Sequence, residues 1–379
     1  MEATINKISQ ELSLVVKEAN SDIDEKWIEF ISNHSQATVY HHPAWLNVIE
    51  TETGQKVLKL ICIDEDENIK GVFPLQFTKG FPFGLGGIPG TRRLASLPRT
   101  PVGGPLTSNS LATDMLIQKA TDMVSSESAC LLQIKSFDSD INDGIDSLYK
   151  YFWREIYIKE IPDYPDEIRY GKSKNHAKIK WAVNKAEQNN VIHRIAETEV
   201  DLKKWYPLYL DTMRIHTTPA RSYRFFKNLW EILRPKRMMQ LQLAELEENG
   251  RQKIIAGSIL LFYNKTVTHA FSGSSRIRKH IELRPNDLLH WYAMLDTQKN
   301  GFKYYDFGEV SKGNIGLATY KKKWDTVKVN MYHYYYPKPA QLQEEELDSG
   351  TVGGVKEKIW QRLPLSISAK LGEFVYKRL

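Results

Sequence analysis

Cysteine is nearly absent. Two residues, Cys62 and Cys130, stand in a chain of 379. Two thiols exclude a disulfide framework and a thiolate zinc cluster, and they make a reducing compartment the default. No run approaches the ~18 apolar residues that a membrane-spanning helix needs. The first residues, Met1 to Lys7, lack the apolar centre of a signal peptide. The expectation is a cytoplasmic protein. Dominance of one charge sign is missing too: 52 Lys and Arg face 46 Asp and Glu, a formal net charge of +6. That mild basicity suits a phosphate-bearing ligand and falls far short of a histone-like balance. Apolar residues make up 41% and charged residues 26%, so a chain of this length can build its core unaided, as about two domains.

Several catalytic signatures are also missing. Asp306-Phe307-Gly308 copies a kinase tripeptide, but His193-Arg194-Ile195 is not the matching catalytic loop and no lysine strand accompanies it. Gly84, Gly86 and Gly90 are misspaced for a dinucleotide loop and are interrupted by Pro89. There is no phosphate-binding P-loop and no nucleophile elbow, so Ser272, Ser274 and Ser275 are not elbow serines. His41-His42 has no clustered ligands and makes a poor metal site.

The second half carries the clearer pattern. A strand at 191–197 precedes helical periodicity at 199–216 and 222–233. Strand-like runs follow at 238–246, 252–263 and 266–272, joined by Asn249-Gly250 and Asn264-Lys265, which predicts an antiparallel meander. A helix is expected over 287–299, capped by Asn286 after Pro285 and ended by Asn300-Gly301. Then come a strand at 302–307 ending at Gly308, a helix at 315–324 and a strand at 326–336. The first half repeats this order: helices at 22–33 and 43–52, strands at 57–63, 69–77 and 92–97, a helix at 109–126, a strand at 129–136, a helix at 142–152 and a strand at 154–161. The reading is an α/β protein of two similar domains, 1–165 and 166–340, with mixed, mostly antiparallel sheets flanked by helices. Residues 341–354 read as an acidic linker. Residues 355–379 read as an amphipathic tail, with Trp360, Leu363, Leu365, Ile367, Leu371, Phe374 and Val375 among six basic and two acidic residues. Such a tail fits a membrane surface or packing on the protein body, and Pro364 divides it.

A meander, a loop, a helix, a strand and a further helix is the order of the GNAT acyltransferase fold. More specifically, Pro285-Asn286, the strand from Gly301 through Tyr305-Asp306-Phe307-Gly308, and Gly316-Leu317 through Tyr320-Lys321 resemble the Fem-type branch of that superfamily. This branch includes peptidoglycan-bridge aminoacyl transferases and BioF2-like acetyltransferase domains. His42-Pro43-Ala44-Trp45, Ser96-Leu97-Pro98, Gly103-Gly104-Pro105 and Lys185-Ala186-Glu187 extend the likeness over roughly residues 25–336. Tyr320 stands where a phenylalanine is common. The usual GNAT pyrophosphate signature is absent, and no long helical arm, which some members link to tRNA, fits between 199 and 237.

The resemblance implies tandem GNAT-like repeats and transfer of an acyl group to an amine. The donor would be acyl-CoA, such as acetyl-CoA, or an aminoacyl-tRNA, and no metal is called for. The acceptor would be an amine on an amino sugar, a nucleotide- or lipid-linked sugar, or another cell-envelope precursor. A non-catalytic binding protein that kept the fold is the alternative from another class. In a GNAT fold, Asp306 at the splayed strand would be a base or amine-orienting group, Lys321 would hold a substrate phosphate or the developing oxyanion, and Tyr320 would supply a hydroxyl near the acyl group. Arg276, Arg278, Arg284, Asn286 and Ser274, around a loop with four cations between 276 and 284, would hold the donor phosphates. Lys178 and Lys180, from a stretch at 169–185 with six basic residues and no acid, together with Gly308 and Glu309, would contact the substrate.

Overall fold

The computed structural model describes residues 14–79, 92–126, 130–141, 148–171, 173–339 and 355–378. The chain forms two compact units. Among the described residues the first holds the chain up to Trp153, then 330–339, Lys377 and Arg378; the second holds Arg154 to Val329 and 355–376.

The first unit opens with β1 (Val15–Glu18), α1 (Asp24–Asn33) and α2 (Pro43–Thr53). Proline at the first position of α2 and His42 Nδ1, which accepts from the Ala44 N–H at 3.0 Å, start that helix cleanly. Strands β2 (Leu58–Ile63), β3 (Ile69–Phe77) and β4 (Arg92–Ala95) form an antiparallel meander, with β5 (Leu106–Thr107) beside β3. Helix α3 (Ser110–Ser125), capped by Asn109, then crosses to β6 (Cys130–Ser136), which pairs parallel to β4. Phe73, Leu94, Leu116, Ile117, Leu132 and Ile134 fill the core between α3 and the sheet.

The chain passes to the second unit within β7 (Tyr149–Glu160). There follow α4 (Ser173–Gln188), β8 (Ile192–Ile195), α5 (Glu199–Ile215) and α6 (Tyr223–Ile232). Strands β9 (Met239–Glu248), β10 (Arg251–Tyr263) and β11 (Thr266–Ser274) make the second meander. Asn249 (φ 53°) and Gly250 (φ 71°) form its tight turn, a place where two successive left-handed residues match the strand twist. Helices α7 (Arg278–Glu282) and α8 (Pro285–Lys299) lead to β12 (Tyr304–Ser311), parallel to β11. Helix α9 (Ile315–Lys322) and β13 (Val327–Tyr336) follow. Both units thus run meander, helix, parallel strand. The strand that completes each sheet is exchanged along the chain: Arg154 to Glu160 of β7 pair antiparallel with β12, and Tyr332 to Tyr336 of β13 pair antiparallel with β6.

Four local expectations are corrected. Tyr149 to Phe152, expected in a helix over 142–152, are strand; 142–147 lie outside the described residues, as do Gly84, Gly86, Gly90 and the 341–354 linker. Asn286 does not cap α8. The chain enters through Arg284 in the left-handed conformation (φ 61°) with Pro285 as first helical residue, and Asn286 Oδ1 instead accepts from Ser274 Oγ at 2.8 Å. The loop before α8 contains a helical turn, α7. Strand β12 does not stop at Gly308 but passes through it, because Gly308 at φ 80° absorbs a bulge between Asp306 and Glu309.

The close seat of α5 on β11 rests on Gly273: a Cβ there would lie 2.4 Å from the Tyr209 backbone nitrogen. Gly316, in α9, has open space. Chemical denaturation should therefore show Gly273→Ala losing about 1–3 kcal/mol, while Gly316→Ala is neutral or slightly stabilising. Equal effects would contradict this packing.

Candidate active site

The second unit departs from regular pairing where β11 meets β12. Their parallel ladder covers Thr266, Val267 and Thr268 against Tyr304, Tyr305 and Asp306, and pairing between them stops there, although β11 runs on to Ser274 and β12 to Ser311. The outer edges stay occupied by β10 and β7. The two strands therefore present inner edges whose N–H and C=O groups are unmatched by each other, a slot that an extended chain carrying amides could pair.

Side chains at the base of this slot hold it open. Lys321 is buried (7% exposed), and its Nζ donates to Gly308 O and Glu309 O, both at 2.9 Å. Asp306 Oδ1 accepts from the Gly308 N–H at 2.7 Å. The bulge is thus gripped from both sides. Burial lifts the Asp306 carboxyl to about 6, against the opposing pull of the Gly308 N–H and of the Lys321 charge. Burial also brings the Lys321 ammonium down to about 8. At neutral pH both are chiefly ionised, and each sits within reach of a proton transfer.

Behind them lies a cluster that pattern reading missed. His269 Nε2 contacts Ser258 Oγ at 3.1 Å, and the His269 and His290 rings are 4.7 Å apart. His290 Nδ1 contacts the Tyr305 hydroxyl at 2.9 Å. Desolvation holds both imidazoles neutral, His269 at about 3 and His290 well below its usual value. An imidazole so hard to protonate is a weak proton acceptor near pH 7, which leaves Asp306 as the better-matched base. A histidine inside the apolar start of α8, Leu288-Leu289-His290, was the available signal.

A cleft of about 840 Å³ opens beside the slot in the second unit. Its walls come from α4 (Lys174, Lys178, Trp181), the start of α8 (Arg284, Asp287), α9 (Gly316, Tyr320, Lys322) and the 323–328 segment (Lys323, Lys328). Six cations face one acid. Lys323 pairs with Asp287 at 2.6 Å and Lys328 with Glu155 at 2.8 Å. Lys174, Lys178, Arg284 and Lys322 have no ion pair among the described residues. Focused positive charge of this kind suits an anion.

The expected site residues separate into groups. Asp306, Lys321, Gly308 and Glu309 meet at the bulge, where Glu309 also pairs with Arg154 at 2.8 Å. Tyr320, Arg284 and Lys178 line the cleft; Lys323 Nζ stands 4.1 Å over the Tyr320 ring. The others stand elsewhere. Arg278 is engaged by Glu282 and Lys279 by Glu248, whose carboxyl the hydrogen bonds from Lys279, His280 and Lys253 hold down to about 2. Arg276 and Lys180 are exposed and do not line the cleft, and Ser274 is bonded to Asn286. Only Arg284 of the expected cationic loop reaches the cleft.

Residues 173–322 match a family model described as an acetyltransferase (GNAT) domain. The match spans about two-fifths of the chain. No curated protein matches the chain by sequence. Among solved structures, FemX superimposes with a TM-score of 0.67 at 15% identity, over 86% of this chain and 97% of FemX. L-PGS from Bacillus licheniformis follows at 0.54 and 12%, over 89% and 98%. The C-terminal domain of a putative lysylphosphatidylglycerol synthetase from Agrobacterium fabrum gives 0.52 and 12%, over 89% and 100%. At these identities the likeness is one of fold alone, an α/β architecture shared along most of the chain.

The grip on the bulge has a titration signature. In carbon-13 spectra of Asp-labelled protein, one carboxyl should titrate near 6 and vanish in Asp306→Asn. Lys321→Met, which removes a charge that lowers it, should move that carboxyl higher. A carboxyl raised in the folded state costs stability above its folded pKa and is relieved as pH falls toward its unfolded value near ~4. Asp306→Asn should therefore be no less stable than wild type at pH 7.5, with its relative advantage shrinking toward pH 4. A downward move in Lys321→Met would contradict the arrangement.

Proposed function

We propose that the chain is an N-acyltransferase that moves an acyl group from acyl-CoA to an amine on an amino sugar or another cell-envelope precursor. The observation that carries this reading is the slot between β11 and β12, with Asp306 and Lys321 at its base and a cation-lined cleft beside it. The thioester arm would lie extended in the slot, its amides meeting the unmatched strand edges, and the donor phosphates would meet Lys174, Lys178, Arg284 and Lys322.

An ammonium cannot attack a carbonyl, so the acceptor must lose a proton, and Asp306 is placed and tuned to take it. The free amine then forms the C–N bond at the thioester carbon. Negative charge gathers on the carbonyl oxygen, and the C–S bond breaks as the tetrahedral centre collapses. The leaving thiolate takes up the proton that the nitrogen sheds as the amide forms, and Asp306 returns its own proton to solvent. Backbone N–H groups along the slot and the Lys321 charge favour the oxyanion. Tyr320, on the cleft wall, adds a hydroxyl beside the thioester end.

The second reading is an aminoacyl-tRNA donor, with a peptidoglycan precursor as acceptor. The fold likeness to FemX supports it, and a cleft with six cations suits a nucleic-acid end as well as a coenzyme. The two residue sets are the same; the donors differ.

Calorimetric titration with acetyl-CoA, beside charged and uncharged tRNA, separates them. Saturable micromolar acetyl-CoA binding is expected, weakened at least ~5-fold by Arg284→Ala or Lys178→Ala. Preference for charged tRNA without coenzyme binding would install the second reading, and indifference to these substitutions would remove the cleft from donor binding. With an amine acceptor in hand, kcat/KM should rise with pH through about 6 and fall through about 8 as Lys321 loses its charge. Asp306→Asn should lower it at least ~100-fold and abolish the acid limb. A profile flat from pH 5 to 9 would exclude the pair from the chemistry.

A further inference from the structure

The tail helices α10 (Val355–Gln361) and α11 (Leu365–Tyr376) are fastened to the second unit by an unusual face. Small residues point inward: Ser368 is fully buried, and Gly372 lies so close to Ala220, between α5 and α6, that a Cβ would come 2.0 Å from its carbonyl oxygen. Arg214 Nη1 donates to Leu363 O and Gln361 Nε2 to Ile215 O, both at 3.0 Å. The Arg221 guanidinium stands 4.9 Å over the Tyr376 ring. Leu365, Val375 and Tyr376 are half-buried, but another set of large apolar residues faces outward. Ile367 is 45% exposed, Leu371 39% and Phe374 48%, at positions i, i+4 and i+7 of α11, and Ile359 of α10 is 58% exposed. A helix packing only on its own protein buries its large side chains and exposes its small ones. Here Ser368 and Gly372 are buried while Ile367, Leu371 and Phe374 stay exposed, so the stripe is presented on a fixed helix.

We propose that this outer face of α10 and α11 docks on an anionic lipid surface. The charges beside the stripe select that occupant. Lys370 lies within α11 next to Ile367, Leu371 and Phe374, and exposed Lys358 and Arg362 flank Ile359; Glu373 is the sole acid of α11 and is half-buried. Long basic side chains bordering a narrow apolar strip can reach phosphate headgroups while the strip enters the acyl boundary. The docking is independent of the donor and of the chemistry at Asp306.

The test is co-sedimentation of the full chain with phosphatidylcholine vesicles, alone or with about 30 mol% phosphatidylglycerol, at low and high salt. Wild type should sediment with the anionic vesicles and not the neutral ones, with binding reduced by salt. The triple variant Ile367→Ser, Leu371→Ser, Phe374→Ser should fall at least ~10-fold in partitioning with unchanged thermal unfolding. Lys358→Glu with Lys370→Glu should lose the lipid selectivity. Absence of vesicle binding by wild type, equal binding by the triple variant, or a solution dimer that the triple variant breaks would overturn the proposal. The last result would assign the stripe to a second copy of this chain.

Discussion

The slot of the second unit depends on Lys321 reaching the bulge in β12. Once β12 leaves β11 after Thr268, the carbonyls of Gly308 and Glu309 need a donor that is not a strand. A buried ammonium supplies two charge-assisted hydrogen bonds, each of about 1.5–3 kcal/mol. In return the bulge turns the Gly308 N–H toward Asp306. Gly308 is required because the backbone there is left-handed (φ 80°), with His269 O 3.2 Å from where a Cβ would stand. One lysine thus separates the strands, keeps the slot, and holds a countercharge beside a carboxyl that burial has tuned toward neutrality.

The same lysine connects slot and cleft. It belongs to a run of three, and helical rotation sends each member elsewhere: Lys321 into the bulge, Lys322 to the cleft wall, Lys323 onto Asp287 at the start of α8. The first turn of α8 is therefore partly satisfied by its own carboxylate, which favours a helix N-terminus. Donor phosphates would depend on the side chains of Lys174, Lys178, Arg284 and Lys322 more than on the helix end alone.

Most of the second unit was legible in the sequence because its boundaries carry strong local chemistry: Asn249-Gly250, Pro285 and Asn300-Gly301 mark turns and helix ends regardless of tertiary context. Asp306 and Lys321 were also legible, as a carboxylate in an otherwise aromatic strand and a lysine at a matching helix position. The strand over Tyr149 to Phe152 was not, since its aromatic and basic residues fit a half-buried helix as well as a strand. The cleft was hidden for a different reason. Its cations come from residues 174–178, 284 and 322–328, and each lysine alone resembles a solvated surface charge; only folding brings them to one wall. Conversely, the basic loop that looked like a phosphate site spends Arg278 and Lys279 on Glu282 and Glu248. The neutral His269–His290 pair is a product of burial, which no local pattern encodes.

The central claim is that donor and reacting group meet at one place, the slot and cleft of the second unit. Hydrogen–deuterium exchange, followed by mass spectrometry with and without saturating acetyl-CoA and, separately, charged tRNA, tests it most directly. The account predicts protection by one of these donors concentrated in the start of α4, the first turn of α8, β12 around Gly308, and α9. Protection confined to other segments, or none with either donor, would contradict it.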